Sequence, residues 1–503
     1  MSEPPPTARH EGSTAAAAAP GTSETRLRGG AVGLGGAVVM SAALMGPAVS
    51  VYFNPQLVAG FAGAAMPLVM AASLIASLVV ANGVAAMSRE LPSAGAFYTY
   101  VSRGIGPRTG FVTGILMFLS YALLVPAELA LIGVYAHDVL DGYGLSLPWP
   151  VISLFFAALM LALSWRGIAG SLKTALTLFS VEVAVIVVLS VVVLLKGGAQ
   201  GITAAPFLPS SSPDGLSGLA LGMVFGVLSF VGFESAATLG EEVREPRRNV
   251  PRGIFGAVLL VGVIYLFTTY AEMIGFGTDG VDALTSDTAP ITTLARQYAP
   301  WLELLVGLAG ISSIFAVVMN SHNGITRIVF AMGRERMLPE RLARVHPRHG
   351  TPSTAIVANT VFAVAVTLVV GLAVGPFETY AYLGSLLTLA IIPVYVLTNV
   401  ACVRFFATTA RARRRTVPHV VLPVLGVLVM LIPVYGLLWP VPAAPYNAFP
   451  YVVLATVVMS AAVAAVIGRR RPEVLARAGA VLAAGEVDDA TARTPDATER
   501  SRG

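Results

Sequence analysis

Four ionisable side chains stand out inside apolar runs of this 503-residue chain: Glu128, Glu182, Glu234 and His322. Within a bilayer such a group costs about 2.5 to 3.5 kcal/mol on insertion scales, so each is a candidate for function. A carboxyl drawn out of water favours its neutral form and can exchange a proton as its access to water alternates. Glu182 lies about eight residues into its run, roughly 12 Å from the nearer end at 1.5 Å per residue, too deep to snorkel. Two chemistries are open to it: a proton site, or a hard-oxygen cation site completed by Ser312, Ser313 and backbone carbonyls of the first run. Glu234 is read either as an acceptor for a cationic group or coupling ion, or as a brace for exposed backbone N–H groups. Glu128 follows Pro126 and faces either the bundle or an outer vestibule, and His322, in MNSHNG, reads first as a helix-end polar contact.

Two of the apolar runs are interrupted. The first contains ALMGPAVSVYFNP (43–55), with Gly46 and Pro47 near the middle of a charge-free stretch. Proline has no N–H and clashes with the preceding turn, so the helix must kink or break where unpaired backbone is most costly. The sixth reads LGMVFGVLSFVGFESAATLGEE, in which Gly226, Gly232, Glu234 and Ser235 interrupt the helix. Interrupted helices at corresponding positions in two halves of a chain point to the binding site of a secondary transporter. Half-helix N-termini offer N–H groups to an anion, and the unwound carbonyls accept from an ammonium group or bind a cation.

The elements that carry these groups follow from hydropathy. The chain is 56% hydrophobic and 12% charged, about half the charge expected of a soluble protein, so the fold class is an all-α polytopic membrane protein. Segmentation predicts about twelve spans, near 34–61, 64–87, 110–136, 150–165, 174–195, 216–240, 253–277, 301–331, 354–374, 379–402, 419–438 and 449–467. With a cytoplasmic N-terminus, thirty of the 32 Lys and Arg residues fall inside and only Lys196 and Arg296 outside, as the positive-inside rule requires. An even span count returns the C-terminus to the cytoplasm. Because five is odd, a second five-span unit built like the first enters the membrane upside down. Spans one and six are then inverted counterparts.

The domain reading is an N-terminal cytoplasmic arm (1–30) of disordered composition, a transmembrane domain (31–468), and a cytoplasmic tail (469–503) in which VLARAGAVLAAG can form a short surface helix. The repeats run over about 31–197 and 213–403, with extra helices over about 419–467. A lone cysteine, Cys402, excludes an intrachain disulfide. The sequence contains no phosphate loop, no His/Cys metal spacing and no Gly-x-Ser-x-Gly elbow, so no enzyme, metal or cofactor is expected. Nor does a basic soluble module suggest nucleic-acid binding. The other classes left open are a channel and a membrane substrate sensor.

Three motifs then carry a resemblance: SRELPSAGAFYTYVSRGIGPRTGFVTG (88–114), FVGFESAATLGEEVREPRRNVPRGI (230–254) and RIVFAMGRERMLPERLARVHPRHGTPSTA (327–355). In this order they resemble the amino acid, polyamine and organocation (APC) superfamily, over roughly residues 30 to 465. The resemblance implies a LeuT-like 5+5 inverted repeat plus two helices, with an amino acid or amine held between spans one and six at Gly46, Pro47, Ala48, Phe230, Gly232 and Glu234. The family has Gly-x-Gly where this chain has Gly46-Pro47-Ala48, and Pro47 removes one N–H that could meet a carboxylate. The family's aromatic gate falls on Leu228, with Phe225 or Phe230 as the aromatic side chains able to replace it. Some proton-coupled members place a lysine in span five, in the role of a sodium ion, where this chain has Glu182. The expectation is a proton-coupled importer in the cytoplasmic membrane, with a sodium-coupled symporter or an exchanger as alternatives. Glu241-Glu242 with Arg247-Arg248 reads as a solvated loop or a cytoplasmic gate.

Overall fold

A computed structural model describes residues 33–92, 96–167, 172–238, 243–334 and 338–470. The N-terminal arm, most of the C-terminal tail and the Glu241-Glu242 pair lie outside the described residues. Those described form helices, with no β-strand among them. Among the described residues, nine helical stretches are long and apolar enough to cross a membrane, and three shorter apolar helices fall where spans one, four and six are expected. The fold class is therefore the one read from hydropathy.

The first expected span is three helices in succession, α1 (Leu34–Leu44), α2 (Pro47–Tyr52) and α3 (Asn54–Ala62), followed by α4 (Met66–Glu90). The short α5 (Ala96–Gly104) leads into α6 (Pro107–Asp141), α7 (Trp149–Trp165) and α8 (Leu172–Leu195). The sixth span is α9 (Gly215–Leu228), an irregular segment and α10 (Ser235–Thr238), after which comes α11 (Pro246–Phe276). Two short helices, α12 (Val281–Ser286) and α13 (Pro290–Tyr298), cap one end of the bundle before α14 (Glu303–Arg334), α15 (Ser353–Val374) and α16 (Pro376–Thr408). The chain closes with α17 (Leu422–Gly436) and α18 (Phe449–Arg470). Helices α5, α12 and α13 occupy stretches that the segmentation treats as loops.

Proline at the first turn opens α2, α4, α6, α7, α11 and α16, where its missing N–H forfeits no helical hydrogen bond. Inside α6, Pro126 breaks the ladder, and the Thr367 hydroxyl of α15 donates to the Pro126 carbonyl at 2.9 Å. The core is threaded by buried aromatic rings. Phe53 stands edge-on to Tyr135 with centroids 5.3 Å apart, and Tyr52 stands edge-on to the same ring at 5.7 Å. Large apolar side chains on α15, α17 and α18, such as Val361, Leu372, Leu428, Tyr451 and Val458, point outward, as a lipid-facing perimeter requires.

Helix pairings come in exchanged sets. The first half of span one packs on span seven (α1 on α11), and the first half of span six packs on span two (α9 on α4). Span seven packs on span five (α11 on α8), and span two on span ten (α4 on α16). Exchanging spans one to five for six to ten converts each pairing into its partner. The fold thus brings both interrupted segments to the middle, with α8 and α14 against α2.

Candidate functional site

At the first break, Gly46 adopts a left-handed conformation (φ 58°, ψ 68°), and a Cβ there would meet Val317 Cγ2 at 2.5 Å. Glycine is required on both counts. The end of α1 is closed by side chains: Ser50 Oγ donates to the Met45 carbonyl at 3.0 Å and the Tyr265 hydroxyl to the same oxygen at 3.2 Å. On the other side of the break, Pro47 brings no N–H to the start of α2. The Ala48 N–H donates to Glu182 Oε1 at 2.6 Å, and the Ser313 hydroxyl also bonds this carboxyl. A buried carboxylate from α8 thus caps a helix 134 residues away in sequence, where a helix N-terminus favours negative charge.

The second break presses on the first. Gly232 has φ 110°, and a Cβ on it would stand 3.0 Å from the Leu44 carbonyl at the end of α1. Glu234 turns back on its own loop: Oε2 accepts from the Gly232 N–H at 3.1 Å and from the Tyr395 hydroxyl at 3.3 Å, and Oε1 from the Tyr121 hydroxyl at 2.9 Å. Ser41 of α1 caps α10 by accepting from the Ala236 N–H at 2.9 Å. Beyond the breaks, Ser50 Oγ also lies 3.3 Å from the Ser229 carbonyl, and Asn54 Nδ2 donates to Ser229 Oγ at 2.9 Å. The Tyr380 hydroxyl then donates to Asn54 Oδ1 at 2.6 Å. Phe230 packs against Tyr265, centroids 5.4 Å apart.

The structure therefore gathers Gly46, Pro47, Ala48, Glu182 and Ser313 around one break and Phe230, Gly232 and Glu234 around the other. These side chains and backbone segments are all buried. Ser312, next to Ser313 on α14, is turned by about 100° on the helix and is half-buried. Phe225 stacks on Phe61 of α3 at 5.9 Å, two helical turns before Gly232, and Leu228 packs beside Gly384 of α16. Glu128 is buried, and its Oε2 meets no hydrogen-bond partner among the described residues. His322 Nδ1 pairs with Asn359 Nδ2 at 2.8 Å, a polar contact between α14 and α15.

One buried carboxyl is missing from the sequence reading. Glu272 of α11 is 1% exposed, and neither of its oxygens has a partner among the described residues. It stands five residues inside the expected limit of span seven, shallower than Glu182, and its place within an apolar run is the signal that could have found it.

A family profile described as Amino acid permease matches residues 33–462. The chain belongs to that family. Among curated relatives, the permease is 27% identical over 337 residues to the low-affinity putrescine importer PlaP of Escherichia coli K12, covering 64% of this chain and 70% of PlaP. It is 26% identical over 358 residues to the branched-chain amino acid permease BcaP of Lactococcus lactis, covering 66% and 72%. A chloroplastic cationic amino acid transporter 7 of Arabidopsis thaliana is 25% identical over 341 residues, covering 64% and 56%. The permease is a multi-pass membrane protein whose relatives are transporters.

Proposed function

We propose that the permease imports an amino acid across the cytoplasmic membrane by proton symport, with Glu182 as the coupling carboxyl. The observation that carries this is the 2.6 Å bond from the Ala48 N–H to Glu182. That N–H opens a half-helix whose preceding residue, Pro47, has none to offer, so it is a scarce donor for a substrate carboxylate. When Glu182 is ionised, it holds this donor by a charge-assisted bond. Protonation neutralises the acceptor and releases the N–H to the substrate. Proton and substrate then bind together, and linkage makes the effect reciprocal. Ser313 keeps the displaced carboxyl in place. The walls of the substrate site are Gly46, Ala48, Phe230 and Gly232. Glu234, with its three donors, keeps the second break open and is not itself the ligand.

In this reading the chain crosses the membrane twelve times, as two inverted units of five plus two, with both termini in the cytoplasm. The exchanged helix pairings and the charge asymmetry support it. The aromatic stack of Phe225 on Phe61, with Leu228 below it, closes the site on the side away from α5.

A second reading is favoured by the similarity to a putrescine importer. A diamine has no carboxylate to compete for Ala48, and Glu182 would receive its ammonium group directly. The sign of the pH effect separates the two, since acid tightens binding of an amino acid and weakens binding of a diamine. The experiment is uptake by proteoliposomes of labelled branched-chain amino acids, cationic amino acids and putrescine, with pH and sodium gradients imposed separately. Accumulation of an amino acid driven by an acidic exterior without sodium is expected. A strict sodium requirement would overturn proton coupling.

A further inference from the structure

Glu272 of α11 borders a small cavity of about 10 Å³, shared with Ile186 and Ser190 of α8, Thr268 of α11 and Leu294 of α13. This is room for about one water. The hydroxyl protons around it are already used: Ser190 Oγ donates to the Ile186 carbonyl at 2.9 Å and Thr268 Oγ1 to the Ile264 carbonyl at 2.8 Å. Towards the cavity both hydroxyls have only acceptor capacity left. A water has two protons to give and two acceptor sites. If Glu272 is ionised, its charge is met by that water alone, in a lining that is otherwise aliphatic or hydroxyl acceptors. If Glu272 carries a proton it donates to the water, whose own two protons go to the hydroxyls, and no charge is left buried.

We propose that Glu272, with one water held by Ser190 and Thr268, is a second proton-binding site of the permease, set between the α12–α13 end of the bundle and Glu182. The proposal rests on proton coupling through Glu182. Ser190 lies eight residues from Glu182 on the same helix, about 12 Å along its axis. In the step proposed, an O–H bond forms on Glu272 from the α12–α13 side and later breaks. When that bond breaks, the cavity water returns the proton to the α12–α13 side, and Glu182 gains its own O–H bond as the Ala48 N–H is released.

The titratable groups on the elements packed around α11 are few. Asp287 of the α12–α13 connection acts electrostatically on Glu272. Tyr298 of α13 donates to the Gly275 carbonyl at 2.9 Å, and its own carbonyl accepts from Lys196 Nζ at 2.7 Å. Burial pushes the Tyr298 phenol above its ordinary range, so it stays neutral. Further along are Tyr52 of α2, Tyr265 of α11 and Glu182 of α8, with Asp282 on α12 and Arg296 on α13; α4 brings only Arg89 and Glu90, at its far end. Among these groups Asp287 alone adds negative charge close by.

The test compares wild type, Glu182→Gln and Glu272→Gln in proteoliposomes, taking the ratio of uptake driven by an acidic exterior to exchange of internal for external substrate. The ratio cancels differences in the amount of folded protein. Infrared difference spectra after a pH step report protonated carboxyls without any need for transport. Glu272→Gln should lose most of the stimulation by acid and one protonated-carboxyl band. A wild-type ratio in Glu272→Gln, with Glu182→Gln impaired, overturns the second site and leaves the role of Glu182 standing. A wild-type ratio in Glu182→Gln overturns the coupling scheme itself. An unchanged carboxyl spectrum in Glu272→Gln also sinks the proposal, as does acid stimulation replaced by a sodium requirement that Glu272 controls. Should Glu272→Gln not reach the membrane, Ser190→Ala, which removes one of the water's acceptors, must lower the same ratio, and a wild-type value there refutes the site.

Discussion

Replacing Glu182 by Gln keeps the shape of the side chain and removes its ability to change charge. In the wild type, the Ala48 N–H meets a carboxylate at 2.6 Å in a buried setting. Hydrogen bonds to charged groups contribute about 1.5–3 kcal/mol and neutral ones about 0.5–1.5 kcal/mol. Protonation of Glu182 therefore weakens its hold on the donor by about 1.4 kcal/mol, which is about tenfold in the affinity of a competing substrate carboxylate. Wild-type substrate affinity should thus rise about tenfold from an alkaline to an acidic medium. In Glu182→Gln the amide oxygen makes a neutral bond at every pH, so affinity should stay near the acidic wild-type value throughout, and accumulation against a gradient should collapse. Equilibrium binding of labelled substrate to purified protein, measured across pH, reads the first effect, and proteoliposome accumulation reads the second. A Glu182→Gln protein whose affinity still moves tenfold with pH would refute the competition for Ala48. One that accumulates substrate like the wild type would reduce Glu182 to a helix cap.

Gly46→Leu should abolish substrate binding, because its Cβ would lie 2.5 Å from Val317 Cγ2 and its φ of 58° is strained for leucine; retained affinity would make the break a packing kink. Tyr121→Phe and Tyr395→Phe each take one donor from Glu234 and should lower stability by about 1–3 kcal/mol, read as an earlier melt in detergent. Equal melting of both variants and wild type would mean that the hydroxyls do not brace the second break. Reporter fusions should place both termini and the loop near Arg247-Arg248 in the cytoplasm; an external C-terminus would contradict twelve crossings.

The two breaks were legible because their causes are local. Gly46-Pro47 cannot continue a helix, and the glycines of FGVLSFVGFE weaken one, whatever surrounds them. A third interruption at Phe53 (φ −130°), before Asn54-Pro55, has the same kind of local signal, since Pro55 in the first turn of α3 carries no N–H and its ring clashes with the preceding turn. What closes the breaks was not legible. Ser41 on α10, Tyr121 and Tyr395 on Glu234, and Glu182 on Ala48 join residues from different spans, and hydropathy does not say which face of a uniformly apolar helix meets which neighbour. Depth was legible for Glu182, in mid-run. Glu272 escaped because a carboxyl near an expected span limit looks able to reach water. In the fold, α12 and α13 cover that end, and Gln56 of α3 holds them by donating to the Thr285 carbonyl of α12 at 3.0 Å and to the Asp287 carbonyl of their connection.

The three carboxyls differ most in how many donors each one has. Glu234 has three, from Gly232, Tyr121 and Tyr395, so a change in its charge would weaken all three bonds at once and loosen the second break. It is suited to holding a shape. Glu272 has none from the protein and answers only to a water and a proton. It is suited to passing a charge on. Glu182 lies between them, with one N–H that a substrate can contest and one hydroxyl that keeps it in place when the contest is lost. Of the three, only Glu182 has a donor that can be exchanged without dismantling either break. A proton on it can therefore change what the first break binds while the second break, held by Glu234, keeps the geometry in which substrate is received.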